Sequence, residues 1–419
     1  MAAWASLAAL LVAIALSMTT RINVGVVSIA LAWVVGQYVA GQTAAGIVAG
    51  FPASLFLTLT GITLLFSAAE TNGTLEKLTG RAAALARGDA RMLPLVFFAI
   101  ACGISAVGPG AISSVALVAP IAMAMAARAG VSPFLTALVV TNGANAGNLS
   151  PVSSVGVIAN TAMTGAGLPD HEGVVWFGNF AASALVAAAA YVVLGGWKAG
   201  PIAIEHSVAA GAADTRGLAL SWMQRLTLVV LVAWIAGVVL GLHLGLSAFA
   251  AAAVLIAIGA ADERAALRRV PWGVIVMVSG VTVLIALLDK TGGMALFSSM
   301  LSRLASPATV NAAMAFVTGA ISLYSSTSGV VMPAFLPTVP SVIAQVGGGD
   351  PLALALSINI GSSLVDVSPL STLGALCVAA VADGPEATSL FRKLMAWGLA
   401  MVIVGAVVAA ALAPMLAGI

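Results

Sequence analysis

The sequence carries one eighteen-residue block twice, as TNGANAGNLSPVSSVGVI at residues 141–158 and as NIGSSLVDVSPLSTLGAL at residues 359–376. The two copies lie 218 residues apart and share glycine, serine and proline at corresponding positions. A polar block that contains glycine and proline inside an apolar segment predicts a helix that is interrupted in its middle. The matched pairs are Gly143 with Gly361, Ser150-Pro151 with Ser368-Pro369, Ser153 with Ser371, and Gly156 with Gly374.

A second block repeats at nearly the same spacing, because residues 51–78 align with residues 270–297 at an offset of 219. The alignment pairs Pro52 with Pro271, Gly61 with Gly280, Thr63 with Thr282, Leu65 with Leu284, Glu70 with Asp289, and Gly73 with Gly292. Two blocks at one spacing predict that the chain consists of two related halves. We expect a first repeat over 1–197, a charged linker over 198–219, and a second repeat over 220–419.

The composition places most of the chain in a lipid bilayer. Of the 419 residues, 61% are hydrophobic and only 7% are charged, and the mean hydropathy is +1.14. Soluble domains carry about 25% charged residues, so this chain has too little polar surface to face water. The first apolar run has no charge before Arg21 and is expected to be a genuine helix over 1–19 rather than a signal peptide. The sequence therefore predicts an all-α polytopic membrane protein.

Each half shows the same order of segments. Three crossings come first, followed by a short polar helix, two apolar arms of about 15 residues around a Gly/Ser-rich tip, an interrupted segment and a final crossing. Arms this short predict a re-entrant hairpin, which leaves five crossings in each half and inverts the second half relative to the first. The expected bounds are 2–19, 22–41, 47–69, 74–88, 91–105 with 114–128, 131–165 and 173–196, then 223–242, 246–261, 270–288, 291–304, 307–322 with 330–345, 351–381 and 391–415.

The basic residues support this topology, because Lys and Arg accumulate in cytoplasmic loops. The topology puts fourteen of them on one side, and only Lys290 and Arg303 on the other. Both termini are then external, in a multi-pass protein of the bacterial inner (cytoplasmic) membrane. The fourteen are Arg21, Lys77, Arg81, Arg87, Arg91, Arg128, Lys198, Arg216, Arg225, Arg264, Arg268, Arg269, Arg392 and Lys393.

Four polar stretches interrupt the helical pattern at membrane depth, over 108–114, 141–154, 325–329 and 359–372. Non-helical backbone is tolerated there only where it lines a cavity or is buried in protein. Broken helices offer positive N-terminal ends to an anion and free carbonyls to a cation. An isolated serine would more often be a helix-packing residue, but four breaks paired by the repeat predict a binding site.

These stretches resemble a known family. GAISSVALVAP (110–120), TNGANAGNLSP (141–151), SSTSGVVMPAFLP (325–337) and SSLVDVSPLSTLGAL (362–376) are similar to motifs of the ion transporter superfamily. Within it the chain most resembles the MatC-type dicarboxylate carriers, relatives of the divalent anion:sodium symporters. The resemblance implies a homodimer in which a transport domain moves against a scaffold by an elevator motion. It also implies symport of a small di- or tricarboxylate, such as malonate, succinate, malate or citrate, with Na⁺.

The repeat and the resemblance together give the predicted site residues. No catalytic residue, transition metal, other cofactor or nucleic-acid partner is expected. Substrate binding is predicted for Ser113, Ser114, Asn145, Asn148, Ser150, Ser153, Thr327, Ser328, Ser363, Ser368 and Ser371. Na⁺ binding is predicted for Gly110, Ser114, Asn145, Asn148, Ser326, Gly329, Ser363 and Asp366.

Asp366 is the only acidic residue within the four breaks, and its counterpart in the first half is Asn148. A carboxylate at membrane depth is costly and normally functional. It can ligate Na⁺ or take up a proton, or it can cap a broken helix. Glu70 and Asp289 are expected at helix ends near the interface, in solvated or capping roles.

Other functions stay open at this stage. A proton-coupled carboxylate carrier, or an exporter or antiporter of the same superfamily, would use the same fold. An intramembrane enzyme would need a nucleophile with a base or a metal cluster. No histidine lies within the breaks, and Cys102 and Cys377 are expected to be packing residues. A channel is disfavoured, because inverted repeats with hairpins usually serve alternating access.

Overall fold

The computed structural model describes residues 1–20, 22–83, 89–198, 219–303, 305–381 and 384–418. The predicted linker over 198–219 lies outside these residues except at its two ends, as do Arg21, Arg87 and Arg216. The described chain is built from helices. Seven of them are long and apolar enough to cross a membrane. The predicted all-α polytopic class is therefore confirmed.

The residues described before the linker form ten α-helices. Most are long and apolar, α3 is short, and a 3₁₀ turn at residues 196–198 ends the set. Their bounds are α1 (Ala2–Thr19), α2 (Val24–Tyr38), α3 (Ala44–Val48), α4 (Ala53–Thr71), α5 (Thr74–Ala83), α6 (Met92–Val107), α7 (Gly110–Arg128), α8 (Pro133–Asn148), α9 (Ser154–Gly165) and α10 (Glu172–Val193).

The helices after the linker follow in the same order. Their bounds are α11 (Trp222–Val239), α12 (Leu244–Ala257), α13 (Glu263–Arg269), α14 (Trp272–Lys290), α15 (Gly293–Ser302), α16 (Val310–Ser322), α17 (Thr327–Val346), α18 (Pro351–Val365), α19 (Thr372–Ala379) and α20 (Pro385–Ala417). Helix α17 begins with a π turn and changes its hydrogen-bond pattern along its length, where it contains Pro333, Pro337 and Pro340. That the two sets are inverted repeats stays a prediction.

Glycine contacts hold one group of helices together, which we call the scaffold group (α1–α4 and α11–α14). A Cβ on Gly61 of α4 would lie 2.4 Å from the carbonyl oxygen of Gly245 in α12. A Cβ on Gly280 of α14 would lie 2.1 Å from the carbonyl oxygen of Gly25 in α2. Helices α4 and α14 therefore each cross a helix of the other half at backbone contact, which only glycine permits.

The remaining long helices form a second group, which we call the inner group (α6–α10 and α16–α20). Helix α8 packs against α6, α7 and α10, and α18 packs against α16 and α20. Their contacts bury an apolar cluster that includes Phe97, Leu138 and Leu394. The two groups meet where α9 and α17 approach α4 and α14. The clefts described below lie along this boundary.

The interruptions are shorter than the sequence predicted. Helix α7 already begins at Gly110, α8 continues to Asn148, and α18 continues to Val365. Some polar side chains in these turns donate to carbonyls one turn back, as Asn142 does to Leu138 (2.8 Å) and Ser362 does to Ile358 (2.7 Å). Because they donate within their own helix, they do not break it.

Several predicted bounds also change. The expected crossing over 47–69 is divided, since α3 ends at Val48 and α4 begins only after Pro52. The second arm of each hairpin is longer than about 15 residues, with 19 in α7 and 20 in α17. The final crossing expected over 391–415 belongs to a helix of 33 residues that begins at Pro385. The predicted short helices over 74–88 and 291–304 are described as α5 and α15, and residues 84–88 and 304 lie outside the described chain.

Candidate functional site

The tip of the first hairpin is tied to the interrupted helix of the same half. The tip is Gly108-Pro109, and Gly110 then begins α7 with a φ of +77°, which favours glycine. The main-chain N–H of Ala111 donates to Asn148 Oδ1 at 3.0 Å, and the main-chain N–H of Ser154 donates to the Gly108 carbonyl at 2.9 Å. Two hydrogen bonds thus fix this tip against the gap between α8 and α9.

The second tip is fixed against α18 by hydroxyl groups. Ser322 Oγ donates to the Ser362 carbonyl at 2.9 Å and lies 2.5 Å from Thr327 Oγ1. Ser326 caps the first turn of α17, because its Oγ accepts from the main-chain N–H of Gly329 at 3.0 Å. Thr327, the first residue of α17, is therefore held between its own hairpin and the interrupted helix α18.

The two gaps in the interrupted helices are built alike. Ser153 Oγ donates to the Asn148 carbonyl, and its counterpart Ser371 Oγ donates to the Asp366 carbonyl. In each gap the following helix packs through a glycine, because a Cβ on Gly156 would lie 1.9 Å from the Ser150 carbonyl oxygen and one on Gly374 would lie 2.2 Å from that of Ser368. The serines and glycines that the two blocks share therefore have the same structural role in both places.

Asp366 lies between the second gap and the second tip. It follows the last residue of α18 and is partly buried, and the side chains of Ser371 in the gap and Thr327 at the tip lie close to its carboxylate. In the first half its counterpart Asn148 bonds to the tip directly, through the main-chain N–H of Ala111. An amide at one gap and a carboxylate at the other thus lie next to a hairpin tip.

A narrow cleft, of about 30 Å³, lies between the two tips, at the boundary of the scaffold and inner groups. Ser113 and Ser154 face it from the first half and Ser328 from the second, while Thr63 of α4 belongs to the opposite wall. The residues that line it in the part of the chain that the structure describes are all uncharged. Ser113, Ser154 and Ser328 contribute hydroxyl groups to the cleft, and most of its other lining residues are apolar.

A second, larger cleft, of about 380 Å³, lies on another side of the second tip. Ser326 and Ser371 line it together with Thr372, the first residue of α19. Its other polar lining residues are Thr20, Asn23, Tyr324 and Ser325. The serines at the second tip and second gap are therefore next to open space that continues to the scaffold group.

The predicted site residues fall into two sets. Gly110, Ser113, Ser326, Ser328 and Ser371 line the two clefts. The others do not line a cleft, and several of them bond to neighbouring protein groups. Ser114 Oγ donates to the Ala101 carbonyl of its own hairpin (2.8 Å), and Asn145 Nδ2 donates to the Ser363 carbonyl (2.8 Å). Ser150 and Ser368 accept from the main-chain N–H groups of Val152 and Leu370 within their gaps (3.4 and 3.2 Å).

Among the hydroxyl residues of the clefts that were not predicted as site residues, two are counterparts in the repeat. Ser154 lines the first cleft and bonds to the first tip, and Thr372 lines the second cleft. They are 218 residues apart, the spacing of the repeat, and both carry a hydroxyl group. That pairing is the sequence signal from which both could have been found.

The charged residues near helix ends lie where the sequence placed them. Glu70 is in the last turn of α4 and forms an ion pair with Arg269 at 3.3 Å, with both side chains substantially exposed. Asp289 is exposed in the last turn of α14, at the edge of a third cleft between α4, α9, α14 and α17. An exposed ion pair contributes about 0–1 kcal/mol, so neither residue is needed to explain the fold.

Comparison with known proteins finds a family match for the first third of the chain. Residues 1–148 match the family model described as dicarboxylate carrier protein MatC N-terminus. The match ends at Asn148, the last residue of α8. No curated protein matches the chain. The match and the apolar helices together support a dicarboxylate carrier family, and so a multi-pass membrane transporter rather than an enzyme.

Proposed function

We propose that the protein is a secondary active transporter that moves small di- or tricarboxylate anions, such as malonate, succinate, malate or citrate, together with Na⁺. The observation that carries the proposal is the cleft between the two hairpin tips, to which opposite halves contribute Ser113 and Ser328. A short dicarboxylate has an anionic group at each end. Hydroxyl groups on the two tips can each donate a hydrogen bond to one of these carboxylates.

Uncharged coordination suits a site that must release its ligand. The described lining of the cleft contains no Lys or Arg, and the first turns of α7 and α9 border it at Gly110 and Ser154. The N-terminal end of a helix favours negative charge. Partial positive charge and hydroxyl donors thus attract a carboxylate less strongly than a fixed cation would, which permits unloading on the second side of the membrane.

Na⁺ completes the proposal, because a dianion needs compensating positive charge in a site without basic residues. We place one cation beside the first tip, near Gly110 and Asn148, and another beside the second tip, near Ser326, Gly329 and Asp366. Main-chain carbonyls freed at interrupted helices and side-chain oxygens are the usual ligands of coupling Na⁺. Asp366 is the one member of this set that adds negative charge.

Transport would proceed by motion of the inner group against the scaffold group. The clefts lie along the boundary between the groups, so a displacement there changes which side of the membrane they open to. In this proposal the protein is a homodimer of the bacterial inner membrane with both termini external, and the first hairpin enters from the cytoplasm.

Proton coupling is the second candidate, and Asp366 is the observation that favours it. Its partly buried carboxylate lies between the hydroxyls of Ser371 and Thr327. A carboxylate in that position can bind a proton on one side of the membrane and release it on the other. Under this alternative the proton gradient, and not the Na⁺ gradient, would drive uptake.

Substitution of the cleft serines tests the site. Uptake of labelled succinate into proteoliposomes should show a raised KM for Ser113→Ala and Ser328→Ala, because each loses one hydroxyl donor to a carboxylate. Ser28→Ala is the matched control, since Ser28 Oγ is buried in α2, away from the clefts. Unchanged KM values in both cleft variants would contradict the placement of substrate between the tips.

A further inference from the structure

Six buried oxygens without a hydrogen-bond partner lie on three helices of the inner group, α8, α10 and α18. Within the part of the chain that the structure describes, none of them accepts a hydrogen bond. The three helices pack against one another. We call this set the polar seam; it consists of Asn142 Oδ1, Asn145 Oδ1, Asn179 Oδ1, Ser183 Oγ, Asn359 Oδ1 and Ser363 Oγ.

Direct contacts connect the middle of the polar seam. Asn145 Nδ2 donates to the Ser363 carbonyl at 2.8 Å, and Asn179 Nδ2 donates to the Asn145 carbonyl at 2.5 Å. Asn142 and Asn359 lie about one helical turn before Asn145 and Ser363, and Ser183 lies one turn after Asn179. Each outer residue of the seam is therefore a neighbour on its own helix of a central one, and the contacts of Asn145 join the three helices.

The four asparagines use their amide groups in the same way. Each donates with Nδ2, to the carbonyls of Leu138, Ser363 and Asn145 or to the sulfur of Met163. Each leaves Oδ1 without a donor. All four side chains are fully buried, at 0% exposure. A buried polar atom without a partner is costly, so four acceptors left free in one seam indicate a positively charged species that they surround.

The chemistry of these oxygens selects the ion. Amide and hydroxyl oxygens are hard, uncharged ligands, which suit an alkali cation rather than a soft transition metal. The described chain has no group of three or more His, Cys, Asp or Glu residues able to hold a metal ion. A divalent cation would bring two positive charges into a seam that has no carboxylate to balance them. Uncharged, closely packed oxygens fit a small monovalent cation.

We propose that the polar seam is a Na⁺ site, centred where Asn145, Asn179 and Ser363 meet. The polar seam lies about one helical turn from the two cation positions beside the hairpin tips, because Asn145 and Ser363 precede Asn148 and Asp366 by three positions. It is a third position because its oxygens come from Asn145, Asn179 and Ser363. The ion joins α8 to α18, which belong to different halves of the chain. Its binding stabilises the inner group and does not require substrate.

Thermal unfolding of the purified protein tests the site without any transport assay. The unfolding midpoint is measured without carboxylate as NaCl replaces choline chloride at constant ionic strength. We expect Na⁺ to raise the midpoint of the wild type. Asn142→Ala and Asn179→Ala should raise the Na⁺ concentration for half-maximal stabilisation about 10-fold or more, a typical effect of weakening a metal's surroundings. Asn142→Asp should lower it, because the oxygen is kept and a negative charge is added.

Two controls separate the seam from other buried polar groups and from the tips. Ser279→Ala removes a buried hydroxyl of α14 that also has no partner among the described residues, and it should leave the Na⁺ dependence unchanged. Asp366→Asn removes the carboxylate proposed for the second tip position and should remove only part of the Na⁺ response, and the part that remains should be weakened further when Asn179→Ala is added. Equal sensitivity of the control and seam variants to Na⁺ would overturn the proposal.

Two further measurements can contradict the Na⁺ site in the polar seam. A wild-type midpoint that is the same in NaCl and choline chloride would leave only ordered water in the seam. If the seam variants do not fold, crystals of the wild type grown with Tl⁺ provide the answer: we expect an anomalous peak between Asn145 and Ser363, and peaks only beside the tips would contradict it. A protein that shows the seam response but transports no carboxylate would refute the proposed function and not the site.

Discussion

The main-chain N–H of Ala111 donates to Asn148 Oδ1 at 3.0 Å and so joins the tip of the first hairpin to the end of α8. Asn148→Ala should lower the free energy of unfolding by about 1–3 kcal/mol, because it leaves a buried donor without an acceptor. Asn148→Asp keeps an acceptor oxygen and should unfold near the wild-type temperature. Unfolding in detergent measures both, and equal midpoints for the Ala variant and the wild type would show that the bond does not hold the tip.

Asp366 separates the two candidate coupling ions. If its carboxylate ligates Na⁺, Asp366→Asn should weaken the apparent Na⁺ affinity and slow uptake at low Na⁺, while protein yield stays near normal. If it carries the proton, the variant should lose pH dependence and gradient-driven accumulation but keep exchange of external for internal substrate. Uptake across a Na⁺ series at two pH values distinguishes them. Unaltered Na⁺ and pH curves in a folded variant would leave Asp366 with a capping role only.

Gly280 tests the scaffold group. A Cβ at this position would lie 2.1 Å from the carbonyl oxygen of Gly25, so Gly280→Ala must separate α14 from α2. We expect a loss of about 1–3 kcal/mol or more in stability. Gly103→Ala in α6 is the control, because a Cβ there meets nothing within 4 Å. It should be neutral or slightly stabilising, since alanine favours a helix over glycine. Equal destabilisation by the two variants would contradict the packing.

The topology can be tested by cysteine labelling in a background without Cys102 and Cys377. The labelled position on α5 must be exposed. Glu76 meets this condition, whereas the side chain of Thr79 is only 1% exposed. A cysteine at Glu76 should react with an impermeant reagent only after the membrane is opened, and one at Asp289 should react from outside. Labelling of the Glu76 variant in intact cells would overturn the predicted orientation.

The sequence predicted the class of fold and the paired construction of the site, because both depend on patterns visible along the chain. Ser153 with Ser371, and Gly156 with Gly374, recur at one spacing, and they have matching contacts in the structure. The extent of the interruptions was predicted wrongly. Polar residues such as Asn142 indicate a break when only composition is read, yet they bond to their own helix and continue it.

The distribution of the site residues could not be predicted for a different reason. Asn145 and Ser363 are repeat counterparts, and the sequence predicted both as ligands of substrate and Na⁺ without a contact between them. The structure brings the two together instead, with Asn145 Nδ2 2.8 Å from the Ser363 carbonyl oxygen. Contacts between halves depend on how the helices cross, and no local pattern in either half specifies that crossing.

Uptake of labelled succinate into proteoliposomes, driven in turn by an inward Na⁺ gradient and by a pH gradient, tests the proposed function most directly. We predict accumulation above the level of protein-free liposomes under the Na⁺ gradient, and competition by excess unlabelled malonate or malate. Replacement of Na⁺ by K⁺ or choline should abolish it. Accumulation that persists without Na⁺ and collapses with a protonophore would replace Na⁺ by H⁺ as the coupling ion. Failure of succinate, malonate, malate and citrate alike to enter under either gradient would contradict a carboxylate carrier.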